Sequence, residues 1–387
     1  MNLFAKKTLG ISALAAALLI GGCQNTTHET AVTKSPVVIQ HVQLLTQEQP
    51  LLASSLLVTW TLSDAKTPVD IYVANHPNDE KTLVARNVTG NSYLLQRTPN
   101  TRQYIFVQPN KGAGQWVAER VLPLEGGFNF RDLGGYRTND GRMVQWGKIY
   151  RSGTMVDLTP HDFDYLGKLN ISVMCDFRSR EELQHEPTAW KSFAPNADFQ
   201  TEDYSMRELI SAEGALRFDQ VKTAEQAQEM FKGFYRTAPY RFKQSLSNMF
   251  NALAENKAPL AFNCSAGKDR TGMAAALVLT ALDVPRNVIE QDYALTERVA
   301  NFGQREMLRR MRAEAQGKTA EAPHSGIAAM PAEARNVFMG SDPVFIQAMF
   351  AELEKNHGSA RNFIRDELKI DDQKIAQIQK LYLTDMR

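Results

Sequence analysis

The strongest constraint on the fold sits late in the chain, where a short apolar strand runs into a polar loop and then into a helix that has no polar face. Leu260-Ala261-Phe262-Asn263-Cys264 reads as a buried strand, and Met273 to Leu282 is a continuous apolar run of helical length. A helix that is apolar all round has to be covered by other elements, so this segment belongs at the centre of a domain. From Gly126 onward short apolar strands, Ile171-Ser172-Val173-Met174-Cys175 among them, alternate with helical periods. That alternation predicts an α/β domain with a central, largely parallel sheet flanked by helices. Ala224 to Phe250 is also read as helical. Ala360 to Leu368 and Gln373 to Leu383 repeat at helical spacing through Phe363, Ile364, Ile375, Ile378 and Leu381, which predicts core-facing helices.

Upstream the period changes. Leu56 to Trp60, Val69 to Val73, Ser92 to Leu95 and Gln103 to Val107 are short β-type runs between turn signals, the spacing of an all-β sandwich. The placing of Trp60, the turn region from Asn87 to Ser92 and the Tyr104 strand resemble a fibronectin type III module. The sandwich carries no cluster of chemistry-bearing residues and is read as a spacer or docking module whose partner the sequence does not identify.

The first residues follow another grammar. Lys6 and Lys7 precede an apolar run from Leu9 to Ile20, too short to span a bilayer permanently, as in a signal peptide. Leu19-Ile20-Gly21-Gly22-Cys23 resembles the bacterial lipoprotein box, which implies lipidation of Cys23, export and a membrane anchor; Gln24 after it is compatible with an outer-membrane, periplasm-facing location. The expected organisation of the 387 residues is a signal peptide at 1–22, a polar tether at 23–36, the sandwich at 37–123 and the α/β domain at 124–387. A formal net charge of +1 argues against a nucleic-acid partner. Beyond Cys23 only Cys175 and Cys264 remain, so no disulfide framework is expected.

Cys264 and Arg270 bracket five residues, Ser265, Ala266, Gly267, Lys268 and Asp269, with Thr271 and Gly272 following. One tight loop of that length can turn its backbone N–H groups toward a single phosphate, and the helix beginning near Arg270 adds its positive end. Arg270 supplies a planar fork for two phosphate oxygens. The N–H donors and the guanidinium favour the thiolate, the nucleophilic form of cysteine. Attack on phosphorus gives a phosphocysteine that water then hydrolyses, with most of the rate coming from charge placed around the transferring oxygens. This chemistry calls for neither metal nor other cofactor. A nucleotide-binding P-loop is excluded, because Phe262 and Asp269 stand where it needs Gly and Ser or Thr.

Cys264 to Gly272 resembles the Cys-x5-Arg signature of the protein tyrosine phosphatase superfamily, in the form found in its bacterial tyrosine and phosphoinositide phosphatases. Asn129-Phe130-Arg131-Asp132-Leu133-Gly134-Gly135, Tyr150-Arg151-Ser152-Gly153, Asp176-Phe177-Arg178-Ser179 and Asp292-Tyr293-Ala294-Leu295-Thr296 are similar to further motifs of that branch. The resemblance covers about Gly126 to Leu383. It implies hydrolysis of phosphotyrosine in proteins, with phosphoserine, phosphothreonine or phosphoinositide as alternatives. A different class, a catalytically silent phospho-ligand binding or adhesion protein, would keep the loop for anion binding alone.

Two aspartates compete to protonate the leaving oxygen, Asp176 and Asp269; proximity favours Asp269. Lys268 and Arg178 are expected to bring positive charge to the same place, and Lys268 resembles a lysine linked with phosphoinositide acceptance. Arg131, Asp132, Arg151 and Ser152 are expected to brace strands. Asn263 stands where the superfamily usually has His, and an amide can still donate a hydrogen bond. Cys175 is either an inert core thiol or close enough to Cys264 for a reversible disulfide. Arg305, Arg309, Arg310 and Arg312 form a basic run read as a solvated helix face.

Overall fold

The computed structural model describes residues 36–45, 55–98, 101–206, 208, 218–315 and 330–384. The expected signal peptide, Cys23 and the tether up to Ser35 lie outside the described residues. Pro36–Arg387 forms one compact unit.

Seven strands come first: β1 (Ile39–Leu45), β2 (Ser55–Leu62), β3 (Val69–Ala74), β4 (Thr82–Val88), β5 (Ser92–Gln96), β6 (Tyr104–Pro109) and β7 (Gln115–Ala118). They make two antiparallel sheets, ordered β1-β2-β5 and β4-β3-β6-β7. Strict alternation along β2 sends Leu56, Val58, Trp60 and Leu62 inward, where they meet Ile71, Ile105, Val107 and Val117 in one apolar cluster. The four strands read from the sequence are β2, β3, β5 and β6. Of the remaining three, β4 has no fully buried residue and β7 is only four residues long, so neither carries a clear apolar alternation.

The second part is built on β8 (Arg131–Asp132), β10 (Ile149–Ser152), β11 (Val173–Asp176), β12 (Asp198–Thr201) and β13 (Leu260–Asn263), in the order β12-β11-β13-β10-β8. All neighbours are parallel except β8, which runs antiparallel to β10. A separate antiparallel pair joins β9 (Met143–Val144) to β14 (Leu383–Thr384). The sheet is covered on both faces, as parallel sheets require. Leu260, Phe262, Val173 and Cys175 pack into a core that contains the helix Asp269–Ala281, with eleven of its residues buried. Their neighbours Ala261, Met174 and Tyr150 enter the opposite core with Leu166, Trp190 and Phe193.

The stretch expected to be helical from Ala224 onward is two helices, Ala224–Arg241 and Lys243–Ala254, because the backbone of Phe242 leaves helical geometry between them. The sandwich is not an isolated bead. Arg102, buried at 3 %, reaches Asp132 at 2.8 Å, and Tyr104, Ala118, Met143 and Trp146 close an apolar seam beside that pair. Among the described residues no helix is long and apolar enough to cross a membrane.

Candidate active site

Cys264 follows β13 at the C-terminal edge of the central sheet, and Arg270 is the second residue of the helix Asp269–Ala281. The connection between them must turn sharply. Gly267 permits it: its φ is +65°, and a Cβ there would lie 2.5 Å from the backbone of Ser152 and Gly153.

Three successive loop carbonyls are drawn outward. Ser265 O accepts from the Thr154 N–H at 3.0 Å, Ala266 O from Asn129 Nδ2 at 3.1 Å, and Gly267 O from Asn129 Nδ2 at 3.0 Å and Arg151 Nη2 at 2.8 Å. In a planar trans peptide the C=O and the following N–H point in opposite directions. The N–H groups of Ala266, Gly267 and Lys268 are therefore turned to the inner side of the loop, where the helix dipole adds positive potential.

The outer side is held by a buried network. Arg151 Nη1 donates to Asp292 Oδ2 at 2.5 Å, Arg131 Nη2 donates to Asp292 O at 2.9 Å and to Thr296 Oγ1 at 3.1 Å, and Arg131 Nη1 donates to Asn129 Oδ1. Burial alone would favour the neutral acid, but Arg131 and Arg151 outweigh it and hold the Asp292 carboxyl well below the usual carboxylate range. Arg151 thus braces the loop directly, and Arg131 braces it through Asn129.

Arg270 is 9 % exposed. Nη1 donates to Glu182 Oε2 at 2.7 Å, Phe177 O at 2.9 Å and Tyr204 Oη at 2.5 Å, while Nη2 donates to Glu182 Oε1 at 2.7 Å. Among the described residues the Nε–H and one Nη2 hydrogen keep no protein acceptor, leaving one edge of the guanidinium for two oxygens of a tetrahedral anion. Burial opposes the charge on Arg270, but Glu182 outweighs it and holds the guanidinium well above its usual range.

Glu182 escaped the reading of the sequence. It is the third residue of the helix Arg180–His185, and with Ser179 it forms a capping box in which Oε2 accepts from the Ser179 N–H at 2.7 Å. The Ser-x-x-Glu spacing signals a helix start, but not a second duty for the carboxylate. Oε1 also accepts from Ser265 Oγ at 2.6 Å, so four hydrogen bonds fill the group. Burial opposes its charge, yet Arg270 and these donors keep it well below the ordinary range. Tyr204, which also donates to Phe177 O at 2.6 Å, carried no sequence signal at all.

The two candidate acids have different surroundings. Asp176 is closed off: Arg178 Nε lies 2.9 and 3.0 Å from its two oxygens and Nη2 2.6 Å from Oδ2, with both side chains at 0 % exposure. Asp269 is 22 % exposed, and its Oδ1 accepts from Tyr235 Oη at 2.6 Å. Arg178, bonded also to Glu186 O and Thr188 Oγ1, is committed to this packing. Lys268 Nζ donates to the carbonyls of Phe338 and of Gly340, the latter at 3.0 Å, at the negative end of the helix Ala332–Met339, so its side chain is turned to that helix end. Thr271 Oγ1 lies 3.5 Å from Ser152 O.

Asn263 is fully buried, and among the described residues neither amide atom has a hydrogen-bond partner; the same holds for the hydroxyl of Ser152, its register partner on β10. The expected donation from Asn263 to the loop is not seen. Cys175 and Cys264 are both free thiols, and Cys175 Sγ lies 3.5 Å from Gln200 Oε1. Burial pushes the Cys175 thiol well above its usual range. In the basic run, Arg305 and Arg312 pair with Glu186, and Arg309 and Arg310 pair with Glu306. Among the described residues no group of three or more His, Cys, Asp or Glu side chains is placed to hold a metal ion.

Comparison with known proteins places these features in context. The profile of the tyrosine phosphatase family matches residues 122–384. A Cupriavidus necator protein that carries a provisional tyrosine-protein phosphatase name is 29% identical over 296 residues, 75% of this chain and 98% of the relative. The triple specificity protein phosphatase PtpB of Mycobacterium tuberculosis is 28% identical over 201 residues, 46% of this chain and 68% of the relative.

Proposed function

Since the chain belongs to the tyrosine phosphatase family and is a phosphatase, we propose that it hydrolyses phosphomonoesters, phosphotyrosine in proteins foremost, through a phosphocysteine on Cys264. The observation that carries this reading is the open edge of Arg270 beside a loop whose Ser265, Ala266 and Gly267 carbonyls are tied back. The Cys264 thiolate attacks phosphorus; the S–P bond forms as the P–O bond to the leaving group breaks, and Asp269 gives its proton to the departing oxygen. Water then attacks phosphorus, returns a proton to Asp269 and releases inorganic phosphate and the thiolate. The loop N–H groups and Arg270 hold the equatorial oxygens throughout.

Asp269 is preferred to Asp176 as the acid because solvent reaches it, whereas both oxygens of Asp176 are committed to Arg178. The placing of Lys268 supports phosphoprotein over phosphoinositide, since its ammonium is turned to two carbonyls at a helix end. The word "triple" in the mycobacterial relative's name supports assaying more than one kind of phosphomonoester. The order of the two antiparallel sheets supports a fibronectin type III-like reading of the sandwich. The lipobox-like run before Cys23 supports an envelope location with a lipid anchor.

The test is release of inorganic phosphate from phosphotyrosine peptide, phosphoserine peptide and phosphoinositide by the wild type and by Cys264→Ser. Activity on the peptides that disappears in Cys264→Ser supports the reading. Equal rates from the two proteins would remove Cys264 from the chemistry, and none from either would leave an anion-binding protein in its place. For the anchor, Cys23→Ser is expected to move the protein from the detergent phase to the aqueous phase.

A further inference from the structure

Behind Asp269 stands a pair of buried phenols that the reaction scheme does not use. Tyr235, on the helix Ala224–Arg241, is 0 % exposed; Tyr293, on the helix Arg286–Ala294, is 1 % exposed. Their hydroxyls lie 2.6 Å apart, and Tyr235 Oη lies 2.6 Å from Asp269 Oδ1. Burial, reinforced by the negative charge of Asp269, raises both phenols well above their usual range, so both keep their protons.

Each phenol has a single proton to give. Tyr235 Oη donates its proton to Asp269 Oδ1, so the proton between the two phenols must come from Tyr293. The string therefore runs in one direction, Tyr293 to Tyr235 to Asp269. We propose that this string pins Oδ1 of Asp269 as a permanent acceptor, so that the proton delivered to the leaving group is carried by Oδ2. The proposal rests on Asp269 being the acid. Tyr235 and Tyr293 are positioning residues in this scheme, because neither meets the substrate.

The surroundings suit a fixed device. The Tyr235 ring is held edge-on by Phe231 at 5.4 Å and stacked on Phe345 at 5.7 Å, so its hydroxyl has little freedom. Tyr293 lies against Gly272, where a Cβ would come within 2.8 Å of its ring. It also follows Asp292 directly, so one turn of one helix braces the loop carbonyl through Arg151 and the acid through Tyr235. The charged groups around the string are Lys268, with Nζ 3.6 Å from Asp269 Oδ1, Arg151 and, at the head of the helix Pro343–His357, Asp342.

Leaving-group dependence tests this in the full-length protein, since a general acid matters most for a poor leaving group. Tyr235→Phe is expected to lower kcat/KM for phenyl phosphate at least about tenfold and for 2,4-dinitrophenyl phosphate less than about threefold, within the range acid–base groups contribute. Asp269→Asn should give the same pattern, larger, and the double variant should be no worse than Asp269→Asn. Tyr293→Phe should show a weaker form of the pattern and serves as the readout if Tyr235→Phe does not fold. Equal losses on both substrates in the Tyr variants, or additive losses in the double variant, would overturn the string while leaving the acid in place. Loss of the leaving-group pattern from Asp269→Asn itself would overturn the acid and the string together.

Discussion

Glu182 and Arg270 meet as a two-point ion pair, with Oε2 2.7 Å from Nη1 and Oε1 2.7 Å from Nη2. The carboxylate fixes one edge of the guanidinium and so decides which edge remains open. Because Glu182 also bonds Ser179 and Ser265, a short helix, the loop and the arginine are locked together through one side chain.

Glu182→Gln keeps the shape and removes the charge. The buried guanidinium then lacks its counterion, and breaking such a pair costs about 3–5 kcal/mol. Urea unfolding is expected to show a loss of that order. The kcat on an aryl phosphate should fall about hundredfold, as the arginine fork is no longer held in place.

Acid should weaken the fold through the same carboxylates. The folded-state pKa values of Glu182 and Asp292 lie well below their ordinary values of 4.5 and 3.8, because Arg270 in one case, and Arg131 and Arg151 in the other, outweigh the effect of burial. A depressed folded pKa gives stability that is complete above the unfolded value and is lost as pH falls toward the folded one. Their contribution should therefore be constant near neutrality and decline below about pH 4.5. Unfolding measured from pH 7 to pH 3 checks this, and Glu182→Gln should flatten part of the slope.

Arg102→Met tests whether the sandwich supports the phosphatase domain. Asp132, at 0 % exposure, accepts from Arg102 at 2.8 Å as well as from the N–H groups of Gly134 and Gly147. Removing the arginine strands a buried carboxylate at a cost of about 3–5 kcal/mol. Thermal unfolding of the full chain should shift down, and activity should fall with it because Asp132 adjoins Arg131.

Gly267→Ala should be among the most damaging single changes. The substitution demands φ near +65° and places a methyl 2.5 Å from backbone atoms of Ser152 and Gly153. A displacement of about 1 Å at the reacting centre suffices for a hundredfold loss, so kcat should fall at least that far. Circular dichroism should show the secondary structure retained.

The placing of the loop was legible in the sequence because its covalent spacing constrains it: a strand end, five residues and a helix start leave Cys264 and Arg270 few places to be. The motifs around Arg131, Arg151 and Asp292 were visible as motifs. What they touch was not, since Asp292 lies 141 positions from Arg151 and nothing local in either segment records that they pair. The same holds for Lys268, whose charge suggested substrate until two carbonyls from a helix 70 residues away claimed it. Proximity in the loop favoured Asp269 over Asp176 in the sequence, but their neighbours, Tyr235 for one and Arg178 for the other, were not legible there.

Sequence alone determined the alternation that makes a parallel sheet, the apolar helix that must lie at its centre, the inward and outward faces of the sandwich strands, and the strand-loop-helix spacing from Cys264 to Arg270. These are properties of neighbouring residues, and period and spacing express them directly. Only the tertiary structure decided which edge of Arg270 stays open, which carboxylate solvent reaches and which side chains hold the loop. Such outcomes depend on groups brought together by the fold, where burial and the nearest opposite charge set each residue's role.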